Sequence, residues 1–332
     1  MSKAREIASS ENVSGFKNLI INGGFDIWQR GESFDDISGY TADMVRTGNT
    51  TDGAELVEKS EVNGSNSIKF TITTAPTDMT GTKYLLGLFY VFEGQTLYSL
   101  AIKGKTLTLS FMFNSNITGT YSVSFRNGTD ANNYESYVKT FEYITTNEPQ
   151  KVQIQIDLNY QFNTTPRNDN AKGFGVIIGF LNKGDHSTNT EGQWISGNYC
   201  TSSSCVNWAS AVDNFIEIAE LQLEEGEVAT PFEQRPIGLE LSLCQRYYVT
   251  GTGVFHSSYA DAQGTNRLQT VHFPTTMRTA PTVTVIETAS TNTDEGTLAV
   301  STPRPNQFQS QTKASGSGRI VEVFDYTADA SI

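Results

Sequence analysis

Between residues 17 and 234 the chain repeats one device: a short run of alternating apolar and polar residues, closed by Gly, Asn or Thr. Residues 67–73 (SIKFTIT) put Ile68, Phe70 and Ile72 on one side, and residues 106–113 do the same with Leu107, Leu109, Phe111 and Phe113. Residues 121–125 and 151–158 repeat the pattern, the latter through Val152, Ile154, Ile156 and Leu158. Residues 173–181 are apolar on both faces, as expected of a strand in the middle of a packed sheet. Residues 215–223 alternate again, with Phe215 or Ile216, then Ile218, Leu221 and Leu223, as the apolar positions. Alternation with a period of two places one face of each strand against a core, and many such strands separated by turns imply an antiparallel β-sandwich. No long helical window interrupts them. There is no repeat of roughly 20–50 residues, which argues against a β-helix.

Composition fits an all-β chain: charged residues are only 18% and aromatics 11%, so strand faces and turns must be built largely from neutral polar residues. The net charge of −13 repels phosphates and anionic lipid, so neither nucleic acid nor a membrane is an expected partner. No run reaches the roughly 20 apolar residues of a membrane span. The opening MSKAREIASSENVSG lacks the apolar core of a signal peptide, and assembly in a cytoplasm is expected.

Four regions follow. Residues 1–16 read as a polar arm in which Lys3, Arg5 and Ile7 lie on one or two helical turns, too short to fold alone. Such an arm is either an unfolded terminus or a tether. Residues 17–235 form the sandwich, and Pro231 and Pro236 bracket its end. Residues 236–248 are a connector that reads as a strand through Ile237, Leu239, Leu241 and Leu243, or as a helix through Ile237, Leu241, Cys244 and Tyr248; its helix-forming residues favour the helix. Residues 249–332 are a smaller β domain, with candidate strands at 247–256, 267–273, 282–287, 297–302, 307–312 and 319–326. A unit of this size has a thin core, which copies of itself would thicken.

Enzymatic constellations are absent: there is no GxSxG, P-loop, GxGxxG or HExxH. The Gly-rich AKGFG at 171–175 lacks phosphate-loop spacing. A glycosidase needs two carboxylates about 5–9.5 Å apart across a cleft. Strand alternation would split Glu217, Glu220, Glu224, Glu225 and Glu227 between faces, and turns account for Glu32, Asp35 and Asp36, so solvated acids are expected rather than a catalytic pair. Cys200, Cys205 and Cys244 are read first as free thiols, with a Cys200–Cys205 disulfide next, and His186, His256 and His272 are too scattered for zinc. Arg30 and Arg46 are expected to pair with Asp26, Asp43 or the 220–227 acids, and Arg235 to satisfy carbonyls; a receptor for a sugar acid is the rival role for each.

An aromatic platform is how a protein binds the apolar face of a sugar. Trp28 reads as a core ring. Trp194, Tyr199 and Trp208 lie in a Gly/Ser/Asn-rich insertion, residues 182–214, where they either hold a glycan or pin their own loop; Tyr134 lies in another polar loop. Replacing Trp194 is accordingly expected to cost far less stability than replacing Trp28.

Two long segments, NLIINGGFDIWQRG at 18–31 and LQLEEGEVATPFEQRPIGLELSLCQRYY at 221–248, carry a family resemblance, with further matches in TLTLSFMFNSNITGTYSVSFRNG at 106–128 and FDYTADASI at 324–332. The chain resembles tail-fibre and appendage proteins of tailed bacteriophages that contain a carbohydrate-binding-module (galactose-binding-like) β-sandwich. The resemblance implies a jelly-roll-like sandwich in a non-enzymatic virion protein, a tail fibre or appendage that binds host-surface glycans. It implies a homotrimer whose N-terminal arm is fixed to other virion proteins. The alternatives are a purely structural collar, head-fibre or capsid-decoration protein and, from another class, a glycan-degrading tailspike. No cofactor is expected beyond a structural calcium, for which the resemblance nominates Asp26 with Asp213 and Glu217, although the double-Asp form usual at that last strand is absent.

Overall fold

A computed structural model describes residues 15–332 apart from 79–80, 82, 84, 129–132, 180–183 and 295–297. Lys3, Arg5 and Ile7 of the arm lie outside the described residues. The chain forms two compact units, one ending at Arg235 and the other running from Pro236 to Ile332.

The first unit is a sandwich of two antiparallel sheets, its strands numbered in chain order. One sheet runs, edge to edge, β1 (Ser33–Asp35), β4 (Ala54–Val62), β5 (Ser65–Thr74), β15 (Phe215–Glu225), β7 (Thr106–Ser115) and β10 (Gln150–Asp157). The other runs β13 (Trp194–Ser196), β9 (Glu135–Tyr143), β8 (Gly119–Asn127), β11 (Lys172–Gly179), β6 (Leu85–Glu93), β3 (Val45–Asn49) and β2 (Gly39–Tyr40). The alternating apolar residues face inward: Ile68, Phe70 and Ile72 of β5 and Leu107, Leu109, Phe111 and Phe113 of β7 are all buried. Phe113 of the first sheet meets Tyr121, Phe141 and Tyr143 of the second at ring-centroid distances of 4.7, 5.1 and 5.2 Å. These offset and edge contacts fuse the two faces into one core.

The doubtful parity of residues 215–223 has a physical cause. Pairing of β15 with β7 slips between Ala219 and Gln222, and Glu220 adopts the left-handed region with φ 53°. The bulge lets Ile216 and Ile218 before it, and Leu221 and Leu223 after it, all point into the core. Several elements escape the sequence reading, among them strands β4, β6 and β9 and helix α1 (Gly94–Ile102), which follows β6 and buries Leu97, Leu100 and Ala101.

The two segments singled out in the sequence meet each other. Leu19 N–H donates to the Leu223 carbonyl and Leu221 N–H to the Gly23 carbonyl, both at 2.8 Å. Buried Asn18 donates to the Leu221 carbonyl at 3.1 Å and accepts from the amides of Ile20 and Leu223 at 3.0 and 3.1 Å. The Glu233 carboxylate accepts from the Asn18 amide at 2.9 Å. Arg235 donates to the Ile20 carbonyl at 3.1 Å and to the Asn18 carbonyl, while its guanidinium lies 4.8 Å from the centre of the Phe16 ring. A side chain at Gly23 would begin 2.0 Å from the Leu221 carbonyl oxygen, so only glycine permits this approach.

The second unit opens on helix α2 (Ile237–Gln245), the helical alternative for the connector, with Pro236 at its N-cap. Two three-stranded sheets follow: β16 (Tyr248–Ala260), β21 (Gly318–Asp329), β18 (Thr282–Thr291), and β17 (Asn266–His272), β20 (Gln307–Lys313), β19 (Ala299–Arg304). All six candidate strands are present. Their core gathers Val249, Val271, Phe273, Met277, Phe308, Phe324 and Tyr326, with Phe308 and Tyr326 5.1 Å apart.

Replacing Gly23 with Ala should lower the unfolding free energy of the first unit by about 1–3 kcal/mol, because the added Cβ forces two backbones apart. Gly39→Ala, where a Cβ would make only ordinary contact with Ile37, should leave stability within about 0.5 kcal/mol. Urea unfolding of the two variants checks this; equal midpoints would show that the approach at Gly23 carries no constraint.

Candidate functional site

Outward positions of the seven-stranded sheet are not simply solvated. Tyr121, Val123 and Phe125 of β8 face the core, so Ser122, Ser124 and Arg126 face away from it. Ser122 shares a hydrogen bond with Thr201 at 2.8 Å, and Ser124 donates to the Tyr199 carbonyl at 2.6 Å. Ser136 of β9 donates to the Gly197 carbonyl at 2.7 Å and accepts from the Tyr199 amide at 3.0 Å. These hydroxyls fasten residues 197–202 of the insertion flat onto the sheet. The short strands β12 (Ser187–Thr188) and β14 (Thr201–Ser202) pair in parallel within it. At Gly179 a Cβ would stand 2.5 Å from the Cys200 carbonyl oxygen, so this glycine sets how closely the insertion can lie.

The fastened insertion covers only part of the face and leaves a cleft of about 260 Å³ beside it. Arg46 of β3, Phe89 of β6, Arg126 of β8 and Lys172 of β11 form its floor; Tyr134, just before β9, and His186, Asn198 and Cys200 of the insertion form its walls. Strand register builds the floor: Phe89 lies opposite Arg46 on one side and Ile177 on the other. The Phe89 ring lies against Gly175, where a Cβ would be 2.7 Å from it. The Gly-rich AKGFG therefore makes room for a ring rather than a phosphate.

Aromatic rings hold the cations. The Arg126 guanidinium lies 4.1 Å from the centre of the Tyr134 ring and 5.0 Å from that of Phe89. The Lys172 ammonium lies 5.1 Å from the Tyr134 centroid and donates to its hydroxyl at 2.8 Å. Arg126 is only 8% exposed, yet its polar partners are Asn198, through a hydrogen bond, and the Cys200 sulfur at 3.9 Å. Burial pushes the Cys200 thiol up, though Arg126 opposes the shift, so no thiolate balances the arginine. No carboxylate lines the cleft among the described residues.

The candidate glycan platform is not assembled. Trp194 lies in β13, paired with β9, and is buried among Phe125, Tyr137, Tyr160, Phe162 and Phe174, with its indole N–H donating to the Asp157 carbonyl at 2.7 Å. Trp208 is fully buried, whereas Tyr199 is half-buried, its ring against Gly197. Gly, Ser and Asn in the insertion suggested loops, but an edge strand runs through it and turns Trp194 inward. Trp28 is a core ring as expected, donating to the Phe25 carbonyl at 2.7 Å.

The calcium candidates do not form a three-ligand group. Asp26 accepts from Asn66 at 2.6 Å, Asp213 sits in a turn with φ 67°, and buried Glu217 accepts from Ser67 at 2.7 Å and Asn114 at 3.1 Å. Among the described residues no three His, Cys, Asp or Glu side chains group to hold a metal. Two of the acids expected in water are buried: Glu217 is held as described, and Glu224 accepts from the amide and hydroxyl of Thr230, both at 2.8 Å, whereas Glu220 and Glu225 are half-buried and Glu227 is exposed. Arg30 pairs with Asp43 at 3.7 Å, whereas Arg46 is exposed and has no ion pair among the described residues. None of the three cysteines is in a disulfide, and all three are buried. One carboxyl is strongly perturbed: burial, and then the charge of Asp36, push Glu55 up to about 8, but it lies outside the cleft.

No family profile and no curated protein matches the chain. Among solved structures it is similar to a putative sugar binding protein from Bacteroides thetaiotaomicron, at 13% identity over 63% of this chain and 100% of that one, with a TM-score of 0.36. It is similar to a family 11 carbohydrate-binding module of a cellulosomal cellulase from Clostridium thermocellum, at 14% identity, 60% and 98% coverage and a TM-score of 0.30. It is also similar to the enzymatically active domain of tailspike protein 4 of bacteriophage CBA120, at 13% identity, 63% and 21% coverage and a TM-score of 0.27.

Trp194→Ala should cost about 3–5 kcal/mol of stability, on the scale of a buried aromatic and comparable with Trp28→Ala. Chemical denaturation of both variants measures this. A loss within about 0.5 kcal/mol for Trp194 would return the ring to the surface.

Proposed function

We propose that the first unit is a non-catalytic glycan-binding β-sandwich, carried on a tail fibre or another external appendage of a tailed phage virion as a homotrimer. The observation that carries the binding role is the cleft. It combines ring edges, an amide, a hydroxyl and cationic donors on a rigid sheet, the mixture that recognises the hydroxyl-rich surface of a sugar. Donors fixed on strands lose little freedom on binding. Among the described residues its lining offers no acid to protonate a glycosidic oxygen and no carboxylate nucleophile, which supports a binding rather than a cleaving role. The virion role draws its support from the resemblance of residues 18–31 and 221–248 to phage appendage proteins, and the trimer from the same source.

The test offers purified full-length protein to surface polysaccharides extracted from bacteria, and follows both binding and polymer length. Saturable binding with unchanged length is expected, and Tyr134→Ala should weaken it by roughly tenfold, since the ring holds both Arg126 and Lys172 in place. Shortening of the polymer would establish the tailspike alternative, and the absence of binding to any preparation would leave the structural-protein alternative. Antibody labelling of phage particles addresses the virion role: label on an external appendage is expected, and unlabelled particles would refute it.

A further inference from the structure

We infer that the cleft takes an anionic glycan, gripping a carboxylate- or phosphate-bearing sugar between Arg46, Arg126 and Lys172. This rests on the glycan-binding reading and narrows it to one class of ligand.

Three cations face one cleft in a chain whose net charge is −13. Acids outnumber lysines and arginines 36 to 23 in the chain, yet this cleft has none among the described residues. Arg126 carries the most weight. A buried guanidinium is normally paired, because desolvating a charge costs more than ring contacts and one neutral hydrogen bond return. Here the rings of Tyr134 and Phe89 orient its plane, and Asn198 and Cys200 engage only its Nη1. Among the described residues, no acceptor is bonded to its Nε or Nη2. A guanidinium presents five N–H donors in a fixed fork matched to carboxylate and phosphate oxygens.

Arg46 and Lys172 complete the arrangement from β3 and β11. Neither makes an ion pair among the described residues, and the one hydrogen bond of the Lys172 side chain among them is to the neutral Tyr134 hydroxyl, which leaves its positive charge unbalanced. The cations therefore come from three strands of one sheet, with Phe89 of β6 between them. Register places them together, and the aromatic rings keep two of them from collapsing onto distant acids. Because the protein as a whole repels anions, the attraction acts only at contact range, where the fork geometry also selects what binds.

The experiment titrates the full chain with a panel of bacterial capsular polysaccharides. Uronic-acid polymers are offered native and carboxyl-reduced, and sugar-phosphate polymers native and dephosphorylated. At least one native polymer should bind tenfold or more tighter than its neutralised form, and the two arms separate carboxylate from phosphate as the group recognised. Arg46→Gln, at an exposed residue with no ion pair among the described residues, should reduce that affinity several-fold, and by more than it weakens binding of the neutralised form. Arg126→Lys keeps the charge but loses the fork, and should weaken binding as well. Equal affinity for native and neutralised polymers would overturn the anionic assignment while leaving glycan binding in place. An Arg46→Gln variant that binds acidic polymer as the parent does would overturn it too. No binding to any form would remove the glycan-binding reading together with this inference.

Discussion

The sandwich depends on a join between its two ends in sequence. Residues 18–23 and 221–223 are about two hundred positions apart, yet they share four hydrogen bonds centred on Asn18 and Gly23. Asn18 spends its side-chain amide on the Leu221 carbonyl and its oxygen on two backbone amides. Buried polar groups left unpaired cost about 1–3 kcal/mol each, so each partner holds the other in place. Through β15 this join reaches both β5 and β7, the middle of the six-stranded sheet. Closing so long a loop is entropically expensive, which concentrates the demand for good geometry at this point.

The cleft is a consequence of a second fastening. Serines at 122, 124 and 136 occupy outward positions that would serve equally well in water. Because the insertion supplies carbonyls, amides and a hydroxyl to match them, one part of the sheet face is covered and the neighbouring part is left as a floor. The wall thus created carries Asn198 against Arg126. The chemistry of the cleft then follows from packing: rings hold cations, and glycines admit rings.

Much of the fold was legible because alternation is a local property. Strands β5, β7 and β10 could be read from apolar parity alone, and the six candidate segments of the second unit overlap its six strands. The bulge at Glu220 could not, since nothing in FIEIAELQL states where a strand will slip. Helix α1 was missed because nine residues with apolar positions at 97, 100 and 101 give little periodicity to set against the strands around them. The site was legible only in fragments. Arg46 and Tyr134 stood out as a charge and a ring in polar surroundings, whereas Phe89, Arg126 and Lys172 look ordinary until strand register sets them side by side. An arginine at an outward strand position after two serines was the one local signal available. Trp194 misled for the converse reason: a Gly- and Ser-rich neighbourhood describes the insertion on average, not the edge strand inside it.

Native-state hydrogen exchange is the most direct probe of the join. The amides of Leu19, Leu221 and Leu223 should exchange only through global unfolding of the first unit, at rates matching those of core strand β7, because each is bonded across the join. If these three exchanged much faster than β7, through local fraying that leaves the rest of the sandwich protected, the join would be an ornament of the fold and not the constraint on which it depends.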